Sequence, residues 1–198
     1  MPPLHIPFTI SYSFNEGLRE VPDAPEEMRR AMEWIERKLA DEPREPFVRL
    51  RLLGIAGSLL RMLGELQRAG AYFDEALALS RSLGDQRSIA VARIRIAHLL
   101  HWRGHYAEAD ALFLELITAC ERSPALASLL DVACQHAAKS LFDQDRLAEA
   151  LPLFERALAL RLRKGDHDLT ESTRHAIAVL RRRLDRCLPA SSEPLPPL

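Results

Sequence analysis

Leu147 to Leu160 reads LAEALPLFERALAL, and this stretch decides the fold. Ala150 and Ala157 are small, and the aromatic Phe154 stands between them. Residues three, four and seven apart share one face of an α-helix, so the three side chains form one stripe. A helix with that stripe presses closely on its neighbours, with the ring filling the space between them.

The stripe occurs three times. Ala69, Ala109 and Ala150 recur at intervals of 40 and 41 residues, followed in register by Phe73, Phe113 and Phe154, then by Ala76, Leu116 and Ala157. Upstream of each set lies a second helix with its own small residue, Gly57, Ala97 or Ala138, and with Leu60, Leu100 or Leu141 three positions on. Tight turns are predicted at Gly64, Gly104 and Asp145, after which Leu66, Tyr106 and Leu147 open the second helix. Each unit is therefore helix A, a turn, helix B and a longer connection, with repeats at about 47–84, 86–123 and 124–165. Gly84-Asp85, Ser123-Pro124 and Gly165-Asp166 close the units. Ser123 reads as an N-cap with Pro124 as the first residue of the next helix. Pro152 falls about a turn beyond the free N–H groups of its helix, which predicts a mild distortion there.

The flanks differ. A helix over 25–40 carries Met28, Met32, Ile35 and Leu39 on one stripe, and Pro43 and Pro46 punctuate the segment after it. A last helix over 168–187 places Ala176, Ile177, Leu180 and Leu184 on one face and is otherwise basic, which suits the polar outer side of a capping helix. Residues 188–198, LPASSEPLPPL, form a Pro-rich disordered tail. Residues 1–24 stand apart as an N-terminal tail. Phe8, Ile10, Tyr12 and Phe14 alternate with polar residues at a strand period, and no second strand is read after them. A lone strand cannot satisfy its own backbone. It reads as a surface-draped tail, or as a strand that pairs with a partner's sheet edge or with a second copy of the chain in a homo-oligomer.

Composition narrows the function. The formal net charge is -1, which argues against nucleic acid despite the run Arg181 to Arg183. The three cysteines, Cys120, Cys134 and Cys187, are scattered, as reduced thiols of a cytoplasmic protein would be. No run approaches the roughly 18–20 apolar residues of a membrane span, and the first residues lack the basic start and apolar core of a signal peptide. There is no phosphate-binding glycine loop, nucleophile elbow or HExxH. His98, His101 and His105 are the best metal candidates, but His105 lies past the turn and a third ligand is missing. The expectation is no metal, no cofactor and no catalytic residue.

The repeated residues resemble the tetratricopeptide repeat family. That family's unit carries a small residue midway along helix A, and Ala, an aromatic and Ala along helix B. The resemblance covers residues 47 to 187. The period exceeds the roughly 34 residues of the common form and is similar to the longer kinesin-light-chain-like variant, as are EALPLFERALALR and KGDHDLT. Leu116 departs from the second helix-B Ala, and the usual helix-A aromatic is missing from all three units. The resemblance implies an all-α, right-handed superhelical solenoid of antiparallel helix pairs, with an N-terminal helix and a C-terminal capping helix. It implies a concave groove lined by the A helices. Carried over position by position, the partner-binding residues are Arg51, Ser58, Arg61 and Met62 in unit one, and Val91, Ile94, His98, His101 and Trp102 in unit two. Unit three supplies Val132, Gln135, Lys139, Phe142 and Asp143, and the last helix adds Arg174 and Arg181. The implied function is a non-enzymatic scaffold or adaptor that binds a peptide or protein segment in the groove. The alternative is a regulatory sensor that binds a small peptide or ligand and switches partner choice.

Overall fold

A computed structural model describes residues 6–41 and 45–187, the side chain of Cys187 excepted. The readings of Pro43 and of the 188–198 tail lie outside them. The chain runs β1 (Tyr12–Phe14), β2 (Glu20–Pro22), α1 (Pro25–Ala40), α2 (Pro46–Met62), α3 (Leu66–Ser82), α4 (Gln86–Trp102), α5 (Tyr106–Arg122), a 3-10 turn (Ala127–Leu129), α6 (Leu130–Asp143), α7 (Leu147–Lys164) and α8 (His167–Cys187). Each helix packs on the next in sequence. The A helices α2, α4 and α6 also touch one another and form the inner row of an all-α helical-repeat solenoid.

The turns within the units explain why the repeats superpose. Gly64 and Gly104 adopt φ of 81° and 78°, and Asp145 takes 61° at the equivalent place. Asp is one of the few residues that enters this left-handed region without a large penalty. The turn then closes alike each time: Glu65, His105 and Arg146 donate their backbone N–H to the carbonyls of Leu60, Leu100 and Leu141, at 2.8, 2.9 and 2.9 Å. These bonds satisfy helix-end carbonyls that would otherwise lack partners.

Phe73, Phe113 and Phe154 are all buried. A Cβ on Gly57 would fall inside the Phe73 ring's van der Waals envelope, so the glycine is what lets α3 close on α2. Three apolar clusters succeed one another along the array, the first from α1 to α3, the second around α4 to α6, the third from α6 to α8. Pro152 lies inside α7, which continues past it to Lys164.

Two local expectations are corrected. Ser123 makes no N-cap and Pro124 does not start a helix. Ser123 is extended at the end of α5, Leu126 N–H bonds back to its carbonyl, and α6 begins only at Leu130, after the 3-10 turn. The second correction concerns the N-terminal run. β1 is not a lone strand: it pairs antiparallel with β2, with Tyr12 opposite Pro22 and Phe14 opposite Glu20. Asn15 turns the chain, its Oδ1 accepting the N–H of Gly17 at 2.9 Å and of Arg19 at 3.0 Å. Leu18, in the left-handed region at φ 59°, drives its side chain into the third apolar cluster. Upstream, Ile6, Phe8 and Ile10 pack on the first cluster. The segment is thus laid along the array rather than loose on it.

Candidate functional site

The hairpin sits on the inner row of A helices, and Glu20 is the residue that joins them. Its carboxylate accepts from Arg61 Nη1 at 2.9 Å and from Lys139 Nζ at 2.7 Å, one helix on either side. All three side chains are no more than 8% exposed. Burial alone would raise the Glu20 pKa, but Lys139 and Arg61 outweigh it and hold the carboxyl well below the usual range. Burial lowers the pKa of Arg61 and of Lys139, opposed by Glu20. The triad stands only as a unit, because removal of one charge leaves the others buried without compensation.

A second ion pair lies beside it. Arg19 donates to Asp143 Oδ2 from Nε and Nη2 at 3.0 and 2.8 Å, and His101 Nε2 is 2.8 Å from the same oxygen. Trp102 is the platform beneath: the guanidinium of Arg61 lies 4.4 Å and that of Arg19 5.3 Å from its ring centre. Lys139 lies 4.4 Å above Phe14. Cation over aromatic is favoured by the ring's negative face and gains when water is excluded.

Behind Trp102 the imidazoles stack. His98 accepts from Trp102 Nε1 at 3.1 Å, and its ring centre is 3.9 Å from that of His136. Burial and the surrounding cations push both well below the ordinary histidine value, so both are neutral. His105 is turned away, exposed and 3.4 Å from Glu108. Among the described residues no three His, Cys, Asp or Glu side chains converge as a metal site would require. Cys120 and Cys134 are buried free thiols, the latter pushed up to about 11 by burial.

The residues read as groove-lining are not all brought together. Arg61, His98, Trp102, Lys139 and Asp143 meet at the hairpin. Ser58, Met62, Val91, Ile94 and Val132 line a cavity of about 380 Å³ beneath it, with Tyr12 and Glu20 on its hairpin side. His101, Gln135 and Phe142 are buried, and Arg51 lines an adjoining cleft with Phe47, Arg87 and Arg95. Arg174 and Arg181 are placed elsewhere: both lie at the α7–α8 seam, where Arg174 pairs with Glu171 and Arg181 with Glu155. The side of α8 that meets the hairpin carries His175, whose ring stacks on Phe14 at 6.1 Å. Sequence reading missed Arg19, Glu20, Arg95 and His136. The Asn15-Glu16-Gly17 turn was the available signal for the first two, being a Gly-containing loop between two short apolar runs. No pattern marked the others.

Known proteins share this architecture. A tetratricopeptide repeat family model matches residues 89–123 and 133–164, which are α4–α5 and most of α6–α7. Among solved structures, PlcR of Bacillus thuringiensis, in complex with the peptide PapR7 and DNA, superposes with a TM-score of 0.69 at 15% identity over 81% of this chain. The chain spans 58% of that protein's length. Kinesin-light-chain-like repeats of Podospora anserina superpose with TM-scores of 0.55 and 0.54 at 16% identity, over 81% of this chain and 80% and 81% of theirs. Residues 89–123 and 133–164 thus match the tetratricopeptide repeat, and the chain shares the helical-repeat fold of these solved structures.

Proposed function

We propose that this scaffold takes an extended, acidic segment of another protein into the groove formed by α2, α4 and α6, in the place its own hairpin occupies. The observation that supports this is Glu20, a single carboxylate clamped between Arg61 and Lys139. The groove already holds one extended segment by charge and by an aromatic platform, and hot spots favour Trp and Arg at such places. The PlcR structure, which contains a bound peptide, has the same fold and is consistent with peptide recognition by stacked helix pairs. The partner's segment would present an acid to Arg61 and Lys139 and an apolar residue where Leu18 sits. No catalytic role is assigned.

The test uses the full chain and a labelled peptide of residues 10–24. The chain carrying Glu20→Gln, whose own hairpin is held less firmly, is expected to bind the peptide saturably, and the unaltered chain more weakly because its hairpin competes. The same peptide with Glu20→Gln should lose about tenfold in affinity, some 1.4 kcal/mol. No saturable binding to the altered chain, or equal affinity for both peptides, would overturn the reading.

A further inference from the structure

Among the described residues Arg95 has no counter-charge. It extends from α4 across the face of α2, partly buried, and burial lowers its pKa with no described carboxylate acting against it. Arg19, Arg61 and Lys139, the cations at the hairpin, each hold a carboxylate. Glu20 is already shared by two of them.

The chain is built to hold this cation in place. A Cβ on Gly54 would collide with the Arg95 guanidinium, so the guanidinium lies directly against the bare backbone of α2 and a methyl there would displace it. Mid-helix glycine costs about 1 kcal/mol against alanine. Gly57, one turn on, is explained by the Phe73 ring; Gly54 has no such apolar occupant. A costly glycine and an uncompensated guanidinium at one spot together break rules that a chain breaks at functional sites.

Arg95 lines the 380 Å³ cavity under the hairpin. The rest of the wall is half apolar, with Met62, Phe73, Val91, Ile94, Leu129 and Val132, and half polar, with Ser58, His98 and His136 beside Tyr12 and the Glu20–Arg61 pair on the hairpin side. His136 Nδ1 is buried with no hydrogen-bond partner among the described residues. A concave cavity at the lower end of the roughly 300–1,000 Å³ range, with an apolar side and fixed polar groups opposite, has the size and make-up of a small-molecule site.

We infer that this cavity is a binding site for a small monocarboxylate with an apolar body, its carboxylate held on the Arg95 guanidinium. One free guanidinium matches one carboxylate in a two-bond fork. A phosphate dianion would want a second free cation in the cavity wall, where the other cation, Arg61, is committed to Glu20. The apolar body lies against Met62, Val91 and Ile94. This site stands apart from the exchange of the hairpin for a partner segment, and the two fail separately.

Calorimetric titration of the full chain with hexanoate and with 3-phenylpropionate tests it, with hexanamide as the neutral control. One saturable site per chain is expected for the acids, with at least tenfold weaker binding of the amide. This comparison needs no variant, so a failure of any variant to fold cannot obscure it. Arg95→Gln should remove acid binding, and Gly54→Ala should weaken it although the arginine remains, because the new methyl displaces the guanidinium. Absence of saturable acid binding, equal binding of hexanamide, or unchanged binding by a folded Arg95→Gln chain would overturn the inference.

Discussion

His98 and His136 lie ring on ring beneath Trp102, and neither can take a proton cheaply. Burial is the first cause for both. The next is the nearest cation, Arg61 for His98 and Lys139 for His136. An unfolded histidine titrates near 6.5. Below that pH the unfolded chain binds protons that the native chain refuses, so unfolding becomes easier as pH falls. The stability these rings contribute is fully present above about pH 6.5 and is lost towards their low native values, by up to about 1.4 kcal/mol per pH unit for each ring. Melting temperatures between pH 7 and pH 5 check this. His98→Asn is expected to flatten the slope, and a slope unchanged by the substitution would show that the ring titrates as an exposed histidine does.

At the scale of the element, the ion pairs that join one element to another are of two unequal kinds. Glu20 is buried between two helices, whereas Glu75, paired to Arg49 at 2.5 Å, is half exposed. An exposed pair contributes roughly 0–1 kcal/mol. Removing the one anion of a buried cluster costs about 3–5 kcal/mol, because the cations stay behind in a medium that does not solvate them. Glu20→Ala should therefore lower the urea midpoint well beyond Glu75→Ala. The loss is limited only by release of the hairpin, which rehydrates Arg61 and Lys139. Equal midpoints for the two variants would show that the clamp adds nothing to the fold. The helices and their register were legible in the sequence because small-aromatic-small spacing reports local packing, and Gly64, Gly104 and Asp145 report local turns. The hairpin was not, because what makes it a hairpin lies elsewhere in the chain. Glu20 is one acid in a loop until Arg61 and Lys139, 41 and 119 residues away, converge on it. The same is true of Arg95, whose lack of a partner becomes visible only when the helices are stacked.

For the whole molecule, the array and the hairpin are held by different physics, and that difference bears on function. The helix pairs are joined by continuous apolar clusters from α1 to α8. The hairpin adds two three-residue strands, one buried leucine and the ion pairs of Arg19 and Glu20. A two-stranded hairpin has little stability of its own. It should open in a step that exposes little surface, while the array stays closed. Native-state hydrogen exchange in rising urea separates the two events, since local openings depend weakly on denaturant and global unfolding strongly. The backbone N–H groups of Asn15 and Leu18, which bond to the carbonyls of Arg19 and Asn15, report the hairpin. Those of α6 and α7 report the array. The hairpin amides are expected to exchange at lower free energy and with a shallower urea dependence than the helical ones. If they instead exchanged only with the α6 and α7 amides, the hairpin would be part of the global unit, and no partner could take its place without unfolding the groove.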